Sequence, residues 1–549
     1  MRASSVSEFR IRTLYHRLDE GLFAIPRLQR EFVWDRRKAV ELLDSIYRRM
    51  PIGSLFVWET ERRNQYLLRK QLNLLPQFDD QNPSIWFLID GQQRLSVLHQ
   101  TRVGEPRLNS DGRQVDFSRI AFRIDGESPL FNYRRAVPHE YVSLRDVLAV
   151  NWRQRFRDLP QYKLSRIEEC RSRILNYRLP IIFIDTKDID EVRDLFVRIN
   201  SLGTPVGSAD RAFARAANID LRLKASETRD SLRPEFRTLR YETVLQAFAL
   251  IAEPKLRDVG ERAYELVIRH WEKRIEQDKA QTRVFTRLWS EFTRAFGKAV
   301  DYLADHFCVV NHDFLPSENM LATLTIFFHE HHGQPNGKQQ REIRAWFWAT
   351  GVAQRYSGRG HRENILKDAG FFRRLARTGR ARFTLADRVD PEEVKRAEYT
   401  RRSSLTYTFF SLLATQKPCY LSNGAPIPAS VFAVAANRKN RHHIFPKALL
   451  ANSGFHYKKY NSLCNICFLV AEENQSWGSR QPATYLADFR DKRHFARTMK
   501  SHLVPCHGSS SLWRRGARRA FPSFVRERLS LICRAFESEA GIRLFKVEH

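Results

Sequence analysis

The sequence predicts an α+β multidomain protein, with an α/β domain at the N-terminus, a helical middle region and a small mixed module near the C-terminus. Three observations point there. At 549 residues the chain is too long for one compact core. Within residues 1–220, short apolar runs are twice followed by a helical pattern, as in strand-to-helix units. From 221 to 415 the pattern is helical, and from 416 to 500 it breaks into short segments around an adjacent histidine pair.

Residues 37–49 place Val40, Leu43, Ile46 and Tyr47 at three- and four-residue spacing, which predicts a helix closed by Pro51 and Gly53. Residues 53–59 (GSLFVWE) and 85–89 (IWFLI) read as strands, the second a continuous apolar run expected to be buried, and 92–101 reads as the helix after it. A second strand-to-helix passage runs over 179–185 and 189–199. In the middle region, 262–279 and 341–356 are charged amphipathic helices whose polar faces are expected to meet solvent over a bundle core. Residues 430–436 and 467–471 are strand-like. The last segment, 501–549, is expected to carry a basic helix over 513–534. Residues 487–549 hold 14 Lys and Arg against 6 Asp and Glu, which offers either a phosphate-contacting face or a plain solvated one.

Hydrophobic residues make up 42% of the chain and aromatic residues 12%, which excludes a disordered protein. The 93 Lys and Arg outnumber the 62 Asp and Glu, a formal net charge of +31, and an excess of that size draws a polyanion. Nucleic acid is favoured over an anionic membrane, because the charge is spread along the chain and not gathered beside an apolar helix. No transmembrane helix is expected, and the first 22 residues lack the apolar core of a secretory signal. Seven cysteines at irregular spacing argue against a disulfide framework. These features predict a cytoplasmic protein without a membrane partner.

The segment Arg441-His442-His443-Ile444-Phe445-Pro446, followed by Asn461, Asn465 and Asn474, has the residue types that single-metal phosphodiester hydrolysis needs. One neutral histidine takes a proton from water while a neighbour holds a divalent cation against the scissile phosphate. Adjacent residues on a strand point to opposite faces, so a histidine pair can divide these tasks where a turn redirects one of them. Taken alone, adjacent histidines are as readily explained by packing, and asparagines by turns. The strings HHIFPKALL and NSLCNICFLVAEENQ resemble the HNH (ββα-metal) nuclease module at the C-terminus of GmrSD-like modification-dependent restriction enzymes. The resemblance implies His443 as the general base, His442 and Asn474 as metal ligands, and Asn465 as the residue that orients His443, with Asn461 as its substitute. Asn474 stands where simpler HNH enzymes carry a histidine, which shifts the preference toward Mg²⁺ or Mn²⁺ over Zn²⁺. Cys464 and Cys467 form a CxxC without a clearly spaced second pair and are read as core.

Ile89-Asp90-Gly91-Gln92-Gln93-Arg94 sits at the first strand-to-helix turn. Gly91 lets the backbone approach a ligand, the helix start offers free N–H groups to an anion, and Arg94 could clamp a phosphate; an ordinary turn with a surface arginine is the plainer reading. No Walker A loop occurs. IPRLQREFVW (25–34), FLIDGQQR (87–94) and FVRINSLGTPVGSAD (196–210) resemble, in order, three signatures of the ParB-like N-terminal domain of the same enzymes, with Leu202 where the family has a glycine. The resemblance implies binding and hydrolysis of a nucleoside triphosphate through Gln29, Arg30, Asp90, Gly91, Gln92, Gln93, Arg94, Asn200 and Thr204. RYSGRG at 355–360 adds to the likeness.

His329-Glu330-His331-His332 lacks the HExxH spacing of a zinc protease and reads as a polar loop. Trp346 and Trp348, two apart, cannot share one helix face, so at least one is expected off the core, hinting at an interface. With the resemblance, the expectation is a nucleotide-gated, Mg²⁺- or Mn²⁺-dependent DNA endonuclease acting on foreign, modified DNA, with homo-oligomerisation left open. A nucleotide-switched DNA-binding regulator with an inert nuclease module, and an RNA-cutting toxin, are the alternatives.

Overall fold

The computed structural model describes residues 5–547 apart from 28, 30–31, 69–73, 109–113, 127–128, 135, 138–139, 203–206, 217, 359, 401–402, 430, 432–441 and 469–477. The chain divides into two compact units, Met1–Arg222 and Leu223–His549.

The first unit is built on five strands: β1 (Ser5–Arg10), β2 (Phe23–Ala24), β3 (Leu55–Glu61), β4 (Ser84–Asp90) and β5 (Arg178–Ile184), in the spatial order β1-β5-β3-β4-β2. β5 runs parallel to β3 and β2 parallel to β4, whereas the β1–β5 and β3–β4 pairs are antiparallel. Both faces of the sheet are covered. Leu88 of β4 joins a core with Leu55, Val57 and Ile181, while Phe87 and Ile89 join a second core with Trp58, Ile184 and Phe196. Side chains alternate across a strand, so a strand buried on both faces needs the continuous apolar run that IWFLI supplies. Helix Arg36–Tyr47 begins where Asp35 caps the Lys38 N–H, and it turns Leu43 and Ile46 inward.

The second unit is helical, and it holds the middle helices, the histidine segment and the C-terminal helix together. Trp346 and Trp348 are both fully buried, which corrects the expectation that one lies off the core. Helix Gly337–Val352 is enclosed on opposite sides: Trp346 packs edge-on to Phe372, while Trp348 stands against Phe307 and Phe536. Trp346 also donates to Asp368 (3.0 Å), which accepts from Arg355 and Tyr356 (2.7 Å each). The first residues of RYSGRG therefore anchor a buried pair, in which burial raises the Asp368 pKa against the pull of Arg355.

His329 and Glu330 do not lie in a loop but close helix Glu318–Glu330, where Glu330 pairs with Arg377 (2.9 Å). The apolar stretch LATLTIFF just before them carries the helix through. The basic C-terminal helix spans Ala517–Ala540, with Ser511–Trp513 a separate 3-10 turn before Gly516. Of the stretch 430–436, all but Val431 lies outside the described residues; of 467–471, Cys467 is in a strand and 469–471 lie outside them. Among the described residues no helix is long and apolar enough to cross a membrane.

Candidate functional site

A short ladder carries the histidine pair. β6 (His442–His443) pairs antiparallel with β7 (Ile466–Cys467), His443 opposite Ile466, and helix Lys447–Asn452 starts directly after Pro446. Asn465 braces this turn. Its side chain accepts the Phe445 N–H (2.8 Å) and donates to the carbonyls of Phe445 and Tyr460 (3.0 Å each). Its backbone carbonyl accepts the Ile444 N–H (2.9 Å), one residue beyond His443. A fully buried amide with these partners fixes backbone geometry and does little else.

His443 is buried, and its Nε2 lies 3.4 Å from Asn461 Oδ1. The Asn461 Nδ2 donates to the Tyr399 carbonyl (3.2 Å) and contacts the Tyr457 hydroxyl (3.1 Å). A carbonyl can only accept, so the nitrogen end of the amide faces Tyr399 and Oδ1 faces the imidazole. Nε2 of His443 therefore carries a proton. The resemblance assigns the orienting role to Asn465, with Asn461 as its substitute; the structure brings Asn461 to the ring and bonds Asn465 to Ile444 and Phe445, the residues after His443. The His442 side chain and Asn474 lie outside the described residues.

Behind the ladder lies Arg528 of helix Ala517–Ala540, fully buried. It donates to the carbonyls of Cys464 (2.8 Å), Ile466 (2.7 Å), His502 (3.1 Å) and Leu503 (3.1 Å). Burial lowers its pKa, and the four carbonyl dipoles hold the charge in place. Sequence reasoning missed this residue because an arginine in a basic helix looks solvent-facing. Its place in the buried series Phe521, Phe524, Arg528, Ile532 was the available signal. His502 is enclosed too, and burial pushes its pKa down to about 4. Cys464 and Cys467 are buried free thiols near this guanidinium, and burial pushes Cys464 up to about 11. A fixed cation beside the neutral Cys464 thiol makes this a poor place for a second cation. Among the described residues no three His, Cys, Asp or Glu side chains gather as a metal-ligand set.

The start of the C-terminal helix packs on the histidine segment: Phe445 meets Phe521 and Phe524, and Phe455 meets Phe521. Arg518 donates to the Ser453 carbonyl (2.9 Å), and Arg514, Arg515 and Arg519 are exposed.

In the first unit, Asp90 ends β4 and Gly91 (φ 96°) turns the chain into helix Gln92–Val103. The positive φ favours glycine, and a Cβ at Gly91 would have to displace Leu55 Cδ2, 2.2 Å away. Arg94 is not a surface group. Its guanidinium pairs with Asp90 (2.8 Å) and donates to the carbonyls of Ile52 (2.6 Å) and Ser54 (2.9 Å). Burial lowers its pKa and Asp90 opposes that shift. Gln93 Oε1 accepts the N–H groups of Val33 (2.9 Å) and Trp34 (3.2 Å), and Gln29 donates to the carbonyls of Leu88 (2.9 Å) and Ile89. These three side chains tie the 29–34 segment, the entry to β3 and the end of β4 together. Gln92 differs: it is buried, and its Oε1 has no hydrogen-bond partner among the described residues. A leftover acceptor suits a ligand that donates, such as a base N–H or a ribose hydroxyl. Arg30, Thr204 and the Asn200 side chain lie outside the described residues, Asn200 itself falling in helix Ile189–Leu202.

Residues 11–216 match the family model of the GmrSD restriction endonuclease N-terminal domain. That match spans nearly all of the first unit. An uncharacterized protein of Methanocaldococcus jannaschii is 22% identical over 534 residues, covering 85% of this chain and 84% of its own length. The first unit is thus similar to the N-terminal domain of restriction endonucleases, which bind and cut DNA, whereas the relative that extends over both units has a name that assigns no activity.

Proposed function

We propose that this chain is a nucleotide-gated, divalent-metal-dependent DNA endonuclease of defence against foreign, modified DNA. The observation that carries the reading is the His443–Asn461 pair, in a chain whose first unit matches a restriction endonuclease domain. With Nε2 held by Asn461, the His443 imidazole takes a proton from the attacking water, and Asn461 Oδ1 steadies the imidazolium that forms. Mg²⁺ or Mn²⁺, with His442 and Asn474 as ligands, would supply charge neutralisation at the scissile phosphate when bound. The exposed Arg514, Arg515 and Arg519, around the start of the helix that packs on Phe445, supply contacts to the phosphate backbone. In the first unit, Asp90 to Arg94 with Gln29, Arg30, Asn200 and Thr204 would form the nucleotide site. There Arg94, Gln93 and Gln29 build the floor, and Gln92 meets a donor on the base or ribose.

The test is digestion of modified and unmodified phage DNA by the full chain, with Mg²⁺ or Mn²⁺ and with each nucleoside triphosphate in turn. Cleavage by the wild type and not by His443→Ala is the expected result. Equal cleavage by both, or none by either on any substrate, removes the nuclease reading, and loss of RNA with DNA intact replaces it by a toxin. For the nucleotide site, Gln92→Leu is expected to lower triphosphate turnover without lowering the melting temperature; undiminished turnover removes that assignment.

A further inference from the structure

The helical unit contains a cavity of about 600 Å³ that the nuclease reading leaves unused. Three helices begin around it: Tyr241–Ala252, Glu261–Gln277 and Glu318–Glu330. Each brings the positive end of its dipole. Part of that field is met from within, since Arg240 forks onto Glu318 (2.9 and 2.6 Å) and the Thr243 hydroxyl donates to the same carboxylate. Gln246 is not met. It is 6% exposed, its Oε1 accepts the Gly260 N–H (2.7 Å), and its Nε2 has no hydrogen-bond partner among the described residues. The bond from Gly260 fixes which end of the amide is nitrogen, because a flip would set two donors face to face. A buried donor without an acceptor is costly unless a ligand supplies one.

Glu242 lies one helical turn earlier on the same face, lines the same cavity, and makes no hydrogen bond among the described residues. The cavity thus sets the unfilled Gln246 donor near the half-exposed Glu242 carboxylate, with Tyr264 and Tyr407 in its wall. The carboxylates of Glu242, Glu261 and Glu318 disfavour a phosphate. The geometry points to a binding site for a nucleobase, whose edge presents an acceptor to Gln246 Nε2 and a donor to Glu242. Each base carries such a pair side by side on its Watson–Crick edge, has a flat face for an aromatic wall, and is small enough for the space. The inference rests on reading the chain as a DNA nuclease, which brings bases to it. The base comes either from a nucleotide extruded from the duplex or from a free nucleotide.

Two arms of one experiment separate these sources. Free nucleosides are titrated calorimetrically into the full chain, and duplexes carrying 2-aminopurine are followed by fluorescence, which rises when the base leaves the stack. Binding in at least one arm is expected, weakened tenfold or more by Gln246→Leu and by Glu242→Gln, and the responding arm names the source. Glu242→Gln changes a partly exposed carboxylate and keeps the fold, so it decides the matter if Gln246→Leu melts early. No signal in either arm, or a signal that both variants leave unchanged, overturns the assignment. Cleavage is measured on the same preparations: cleavage without base binding sinks this site alone, and base binding without cleavage sinks only the nuclease reading.

Discussion

At the Asp90–Arg94 turn the motif side chains hold their own backbone. Arg94 grips the carbonyls of Ile52 and Ser54, Gln93 caps the Val33 and Trp34 N–H groups, and Gln29 fastens the end of β4. At the His442–His443 ladder the holding is delegated. Asn465 braces Phe445, and Arg528, from another helix, fastens Cys464 and Ile466. On the proposed reading, scaffold and chemistry are therefore fused at Gln93 and Arg94 and separated at the ladder. A substitution at Gln93 or Arg94 in the first is expected to change both together, whereas in the second each can be removed by itself.

The largest effect expected from this contrast is on rate. His443→Ala should lower DNA cleavage by about 10²–10⁴-fold, with the melting temperature moved by no more than about 2 °C. A matching collapse in melting temperature would erase the separation. Arg528→Met leaves four carbonyls facing an apolar side chain and should cost about 3 kcal/mol in denaturant unfolding of the second unit; a loss below about 1 kcal/mol would mean the carbonyls find water instead.

His502 gives a pH signature of the same seat. Burial holds its pKa at about 4, below the ordinary histidine value of 6.5. The unfolded chain therefore takes up a proton that the folded one refuses. Stability is full above pH 6.5 and falls as pH drops toward 4, by up to about 3 kcal/mol. Melting temperature against pH measures it, and His502→Leu should flatten the slope; an unchanged slope assigns the acid loss elsewhere. The smallest effect is in the first unit, where Arg94→Ala should cost about 2 kcal/mol and reduce nucleotide turnover in step. Lost turnover with stability intact would show that Arg94 acts on the ligand, and the contrast would fail.

The parts legible in the sequence are those whose causes are local. IWFLI announces a strand buried on both faces, and Gly91 announces the turn after it. What could not be read depends on distant partners. The choice between Asn461 and Asn465 as the residue at the imidazole is made by the Tyr399 carbonyl, 62 residues before Asn461. The burial of Arg94 depends on the Ile52–Ser54 turn some 40 residues upstream. The tryptophan pair misled because a face rule assumes that a helix is covered on one side, and Phe307, Phe372 and Phe536 come from three separate helices to cover this one.

The Arg528 clasp also acts in time. The carbonyl of Cys464 waits for a donor 64 residues further along the chain. Proteins emerge from the ribosome N-terminus first, and contacts of long sequence separation close last. The histidines are therefore synthesised well before their seat exists. A nascent chain that has not reached residue 528 carries the histidines without the clasp that seats their ladder, so on the proposed reading cutting would begin only after the C-terminal helix has been made.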